Sequence, residues 1–174
     1  MLYLIRHGQT DWNLFKRATG ITNVFLNQTG IDQANKLAQE LKDIIFDVCF
    51  CSTLNRARQF CEIIYNGDSL IFDKRLIEID CGQFEGMEET PEMMMEMFQA
   101  FKKGDKGTER FDLFIKRNIE VCDLISNEYK GKNVMVVTHA ANARVFNYYF
   151  SGKPKDYDWT KPVSVSGGLI IFKF

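Results

Sequence analysis

Leu2-Tyr3-Leu4-Ile5-Arg6-His7-Gly8-Gln9-Thr10 begins as an apolar run and breaks at an arginine, a histidine and a glycine. Four apolar residues without polar alternation suit a strand covered on both faces. The chain has 174 residues and only two histidines. The second, His139, also follows an apolar run directly, Val134-Met135-Val136-Val137-Thr138. Two imidazoles at two strand ends point to one site.

Working outward, strands are expected at 2–5, 47–51, 69–72, 133–137 and 168–174. Between the first two, Ile31, Ala34, Leu37, Ala38, Leu41, Ile44 and Ile45 keep helical spacing, with Thr29 and Asp32 as a capping box. A second helix is expected from about Ser52 to Tyr65, with Leu54, Ala57, Cys61 and Ile64 on one face and Arg56 in its first turn, off that stripe. A third runs from about Thr108 to Asn127, and a fourth follows His139 with Ala143, Phe146, Tyr149 and Phe150 inward. Strands alternating with helices predict a largely parallel α/β sheet. Ligands of such sheets collect at the carboxyl ends of the strands. Arg6-His7, Ser52 to Arg56, Glu78 and His139 all follow predicted strands, so they are expected to converge. Residues 86–107 are rich in methionine and charge, and 151–167, with Pro154 and Pro162, read as a loop.

The length fits a single domain over 1–174, with a small cap segment at about 87–107. A net charge of −1 gives no field suited to nucleic acid or an anionic membrane, so neither is an expected partner. No apolar run approaches the roughly 18 residues of a membrane span, and charge arrives too early for a secretory leader, so a cytoplasmic location is expected. Five scattered cysteines read as reduced thiols, and Cys49 and Cys51 as small hydrophobes on one strand face. No spacing recommends a metal site.

Arg6 and Arg56 each need a compensating anion, and the planar guanidinium fork matches phosphate oxygens two at a time. Their positive charge disfavours imidazolium and keeps His7 neutral, the form in which its nitrogen can attack phosphorus. His139 then serves as a second donor to the phosphoryl oxygens. A leaving alkoxide needs a proton, and the best-placed donor is Glu78, whose flanking isoleucines desolvate it and favour its acid form. Asp80 and Glu85 are rival acids in the same loop.

Arg6-His7-Gly8-Gln9-Thr10-Asp11-Trp12-Asn13 resembles the signature of the histidine phosphatase superfamily, the phosphoglycerate mutase-like proteins. The resemblance spans nearly the whole chain: Gly30 to Ala34 resembles G-x-x-Q-A, Ser52 to Ala57 resembles S-x-L-x-R-A, Leu76 to Gly86 resembles L-x-E-x-x-x-G-x-x-E-G, and Val137-Thr138-His139 resembles V-[ST]-H. It implies a three-layer α/β/α sandwich with a mostly parallel central sheet. It also implies His7 as the phosphorylated nucleophile, Arg6, Arg56 and His139 as the rest of the phosphate pocket, and Glu78 as acid and later base. Gly8, Thr10, Asn13, Thr19 and Gly20 would contact substrate, with no metal and no cofactor.

The chain departs from the pattern in two places. Ala140-Ala141-Asn142 stands where the family has glycines after the second histidine, and Asn23 to Asn27 replaces D-x-P-L-[ST]. Only about twenty residues separate Gly86 from Thr108, too few for the long lid of a mutase. The expected activity is therefore hydrolysis of a small phosphorylated metabolite, in the manner of small phosphatases such as α-ribazole phosphatase. Mutase-type phosphoryl transfer and a non-catalytic phospho-ligand binding module are the alternatives.

Overall fold

The computed structural model describes residues 1–174. Its centre is one sheet of five strands, β1 (Leu2–Arg6), β2 (Val48–Cys51), β3 (Leu70–Phe72), β4 (Val134–Thr138) and β5 (Leu169–Phe172). They lie in the order β3-β2-β4-β1-β5. The first four are parallel, and β5 alone runs antiparallel, against β1. β4 inserts between β1 and β2, so the first β-helix-β segment joins strands that are not neighbours.

Six helices surround the sheet: α1 (Asp11–Leu14), α2 (Gln28–Leu41), α3 (Asn55–Ile64), α4 (Pro91–Lys103), α5 (Phe111–Glu128) and α6 (Ala140–Phe150). Alternation along the strands assigns them to layers, because successive side chains point to opposite faces. Tyr3, Ile5, Cys49, Cys51, Met135 and Val137 pack with Ala34, Leu37, Leu41, Ala57, Phe60 and Cys61 of α2 and α3. Leu2, Leu4, Val48, Phe50, Val134 and Val136 pack with Val121, Cys122 and Ile125 of α5 and Ala143 and Phe146 of α6. The result is a three-layer α/β/α sandwich. All five cysteines are buried and unpaired. No helix is long and apolar enough to cross a membrane.

Several expected boundaries move. α2 is capped by Asn27, whose side chain accepts from the Gly30 N–H, so Thr29 lies inside the helix and the Thr29–Asp32 box does not form. The helix stops at Leu41, and Ile45 projects 86% exposed from the turn beyond it. α3 starts at Asn55 rather than Ser52; Leu54 has no side-chain cap bond, and Asn23 Oδ1 accepts the Asn55 N–H from a separate loop at 2.7 Å. The two edge strands are not covered on both faces: Ile71 and Phe72 of β3 and Ile171 of β5 are exposed. The segment expected as a cap holds the helix α4, capped by Thr90 and ended by Gly104 in the left-handed conformation. Its Met93, Met97, Ala100 and Phe101 are buried with Phe84, Phe114 and Val145, so these methionines pack on the domain, while Met95 stays exposed.

Candidate active site

Three central strands end side by side at the site. Arg6 pairs with Thr138 and Cys51 with Val137, and the His7 N–H donates to Thr138 O at 3.0 Å. The register therefore delivers His7, Ser52 and His139 to one edge of the sheet, with the two imidazole centroids 5.0 Å apart. The turn after His7 passes very close to α2. A Cβ on Gly8 would lie 2.6 Å from Gly30 O and 2.8 Å from Gly30 Cα, so no larger residue fits at Gly8 without shifting the helix.

His7 is 3% exposed, and its Nδ1 lies 2.7 Å from Gly8 O. A carbonyl only accepts, so Nδ1 carries the proton and Nε2 keeps its lone pair. Nε2 accepts from Arg56 Nε at 3.2 Å. His139 Nε2 meets Ser52 Oγ at 2.7 Å, while its Nδ1 is buried with no partner. Burial, with Arg56 and Arg6 adding repulsion, holds His7 well below the usual histidine range; burial and then Arg56, His7 and Arg6 do the same for His139. Both rings are neutral at pH 7.

Arg56 is 1% exposed even though it lies off the apolar stripe of α3. Its terminal amines donate to Thr22 O at 3.0 Å and Gly20 O at 2.7 Å. Desolvation pushes its guanidinium down to about 10, against the pull of Glu78 and Glu85. Arg6 donates to Ser164 O at 3.2 Å, and its Nε is buried without a partner. All six ion pairs of the molecule involve other residues. Two guanidiniums thus flank a neutral imidazole with no carboxylate in direct contact, and unsatisfied donors remain. A tetrahedral oxyanion matches that arrangement.

Glu78 is 6% exposed and accepts from the Ile79 N–H at 2.9 Å and the Ala141 N–H at 3.2 Å. Ala141, where a glycine was expected from the resemblance, thus holds this carboxylate by its backbone. The segment leading to Glu78 belongs to no strand, and side chains from three elements satisfy its carbonyls. Arg117 of α5 donates to Arg75 O at 2.5 Å, Ile77 O at 2.7 Å and Glu78 O at 3.0 Å. Thr138 donates to Leu76 O at 2.8 Å, and Asn142 to Ile77 O at 3.1 Å. Glu109 anchors the other side of Arg117 at 2.7 and 2.8 Å.

The remaining expected residues lie around this centre. Thr10 and Asn13 form the capping box of α1. Thr19 Oγ donates to Arg17 O, and Gly20 supplies its carbonyl to Arg56. Of the rival acids, Asp80 accepts from the Gly82 N–H, and Glu85 accepts from the N–H groups of Ile21 and Thr22, tying two loops together. Sequence reading did not single out Ser52 as a partner of His139, nor Arg117. Ser52 stands at the head of the S-x-L-x-R-A stretch, a usable signal, whereas Arg117 is one of many charges on a helix and carried none.

Comparison with known proteins gives the family and the fold. The sequence model of the histidine phosphatase superfamily (branch 1) matches residues 2–173. The uncharacterized phosphatase PhoE of Bacillus subtilis is 29% identical over 174 residues, covering 97% of this chain and 86% of its own. A 2,3-bisphosphoglycerate-dependent phosphoglycerate mutase of Nautilia profundicola is 32% identical over 173 residues, covering 87% and 75%. Among solved structures, α-ribazole phosphatase from Shigella flexneri superposes with a TM-score of 0.82 at 25% identity, covering 97% of this chain and 87% of that one.

Proposed function

Since the chain belongs to the histidine phosphatase superfamily, we propose that it hydrolyses phosphomonoesters of a small metabolite through a phosphorylated His7. The observation that carries this reading is the 2.7 Å contact from His7 Nδ1 to Gly8 O, which leaves Nε2 unprotonated; its lone pair accepts from Arg56 Nε at 3.2 Å, a bond that attack on phosphorus exchanges for the new N–P bond, in a pocket that also holds unpaired polar atoms. In the first step Nε2 attacks phosphorus and the ester oxygen departs, taking a proton from Glu78. Arg6, Arg56 and His139 hold the three equatorial oxygens as charge spreads over them. In the second step Glu78 removes a proton from water, the water oxygen attacks the phosphohistidine, and inorganic phosphate leaves. Splitting one displacement into two is what a nucleophilic imidazole contributes.

Incubation with a 32P-labelled phosphomonoester followed by acid and alkali quenching tests the intermediate: label that is acid-labile and alkali-stable is expected on the wild type. His7→Ala is expected to lose the label and at least about 1,000-fold in kcat, on the scale of removing a nucleophile. Turnover at the wild-type rate in that variant would overturn the mechanism. The mutase-named relative favours a second reading, in which the phosphoryl group returns to a bound sugar acid. Supplying 3-phosphoglycerate with a bisphosphoglycerate primer separates the two, because efficient isomerisation with little free phosphate would favour the mutase. A binding module without turnover would give neither product.

A further inference from the structure

We infer that Glu85 is a positioning residue for Arg56: its carboxylate acts through the Gly20–Ile21 peptide unit to fix and balance the guanidinium that holds the phosphoryl group. The inference rests on the phosphoryl site proposed above and adds to it a residue that touches neither the substrate nor the reacting atoms.

The connection runs through one short turn. Glu85 Oε1 accepts the Ile21 N–H at 2.6 Å, and Oε2 accepts the Thr22 N–H at 3.0 Å. From the other side of that turn, Gly20 O accepts from Arg56 Nη2 at 2.7 Å, and Thr22 O accepts from Nη1 at 3.0 Å. The Ile21 N–H and the Gly20 carbonyl belong to one planar peptide unit and point in opposite directions. The dipole of that unit therefore lies between carboxylate and guanidinium, each end facing the opposite charge. Hydrogen bonds in such a chain polarise one another. The approach is close: a Cβ on Gly20 would lie 2.3 Å from Glu85 Oε1 and 2.5 Å from Ile79 O, so glycine is what lets the carboxylate reach the turn.

This placement resolves a conflict within the site. Arg56 is buried and needs a counter-charge, yet a carboxylate in direct contact would occupy its planar fork and repel an incoming dianion. Glu85 joins none of the six ion pairs of the molecule. After Glu78, it is the group that most pulls the Arg56 guanidinium up against desolvation. Set back by one peptide unit, it compensates the buried charge and leaves part of the fork open. A guanidinium carries five N–H donors, and His7 Nε2, Gly20 O and Thr22 O take three of them, so two remain for phosphoryl oxygens.

Two measurements test this role, and neither needs turnover. In 1H–15N NMR spectra of the unliganded protein, the Arg56 Nε–H, buried against His7, is identified as the resonance that Arg56→Lys removes. The side-chain amide of Glu85→Gln has one acceptor oxygen where the carboxylate has two, and in that variant the Arg56 Nε–H is expected to exchange with solvent about 10-fold faster. In calorimetry with inorganic phosphate, Glu85→Gln is expected to weaken binding about 10-fold, on the scale of one charge-assisted hydrogen bond. The same substitution made in Arg56→Lys is expected to cost at most about 2-fold, because a compact ammonium cannot span both carbonyls. An unchanged Nε–H exchange rate in Glu85→Gln would overturn the role. Equal losses of phosphate affinity in the two backgrounds would do so too, since a residue that only stabilised the loops would act alike in both. If the wild type bound no phosphate, the phosphoryl pocket proposed above would fail, while the exchange rate would still decide whether Glu85 holds Arg56.

Discussion

At the scale of single residues, the site works by leaving groups unsatisfied. Arg6 Nε and His139 Nδ1 are buried donors or acceptors without partners, a state costing about 1–3 kcal/mol each until a ligand arrives. Glu78 is the opposite case, with both carboxylate oxygens held by backbone N–H groups. If it protonates the leaving oxygen, Glu78→Gln should depend on what leaves. Alkyl phosphates are expected to lose about 100-fold in kcat, the usual contribution of a general acid, and p-nitrophenyl phosphate several-fold at most, because nitrophenolate needs little protonation. Steady-state rates on the two substrates check this, and equal losses would assign the proton to another group.

At the scale of elements, the fold was legible where apolar residues recur, and illegible where polar side chains replace the ladder. The strands β1, β2 and β4 were readable because both their faces are buried, which makes them continuous apolar runs. Arg6, Arg56 and His139 follow from their places at strand and helix ends. The cap of α2 was misplaced because Thr29-Gly30-Ile31-Asp32 imitates a capping box, while Asn27, two residues earlier, makes the bond. The clamp on residues 75–78 left no trace in periodicity, since its donors lie on α5, β4 and α6, far away in sequence. Arg117 acts there as a positioning residue. Arg117→Lys keeps one charge but loses the planar fork, so it cannot span three carbonyls and Glu109 at once. We expect it to lower kcat on alkyl phosphates about 10-fold, with little change in KM and a smaller effect on p-nitrophenyl phosphate. An unchanged ratio between those substrates, alongside a lowered melting temperature, would make the clamp purely structural.

At the scale of the whole molecule, two neutral histidines buried in a cationic site couple folding to pH. Their folded pKa values lie below the unfolded value near 6.5, so above pH 6.5 neither state binds the proton and no difference arises. As pH falls below 6.5 the unfolded chain takes up protons that the folded chain refuses. Stability should drop by up to about 1.4 kcal/mol per pH unit for each histidine until the folded pKa is reached. Urea melts between pH 7.5 and 5 measure that slope, and His139→Gln should roughly halve it. The unpaired guanidiniums make the same molecule responsive to its solvent. An anion that binds only the folded state adds about 2.7 kcal/mol at 100 times its Kd. For a chain of this size that corresponds to roughly 5–10 °C in melting temperature. A melt in phosphate buffer is therefore a binding experiment, and one in a chloride buffer at equal ionic strength is its blank. The orphaned donors beside His7 turn thermal shift into a screen, able to rank phosphorylated metabolites before any turnover has been detected.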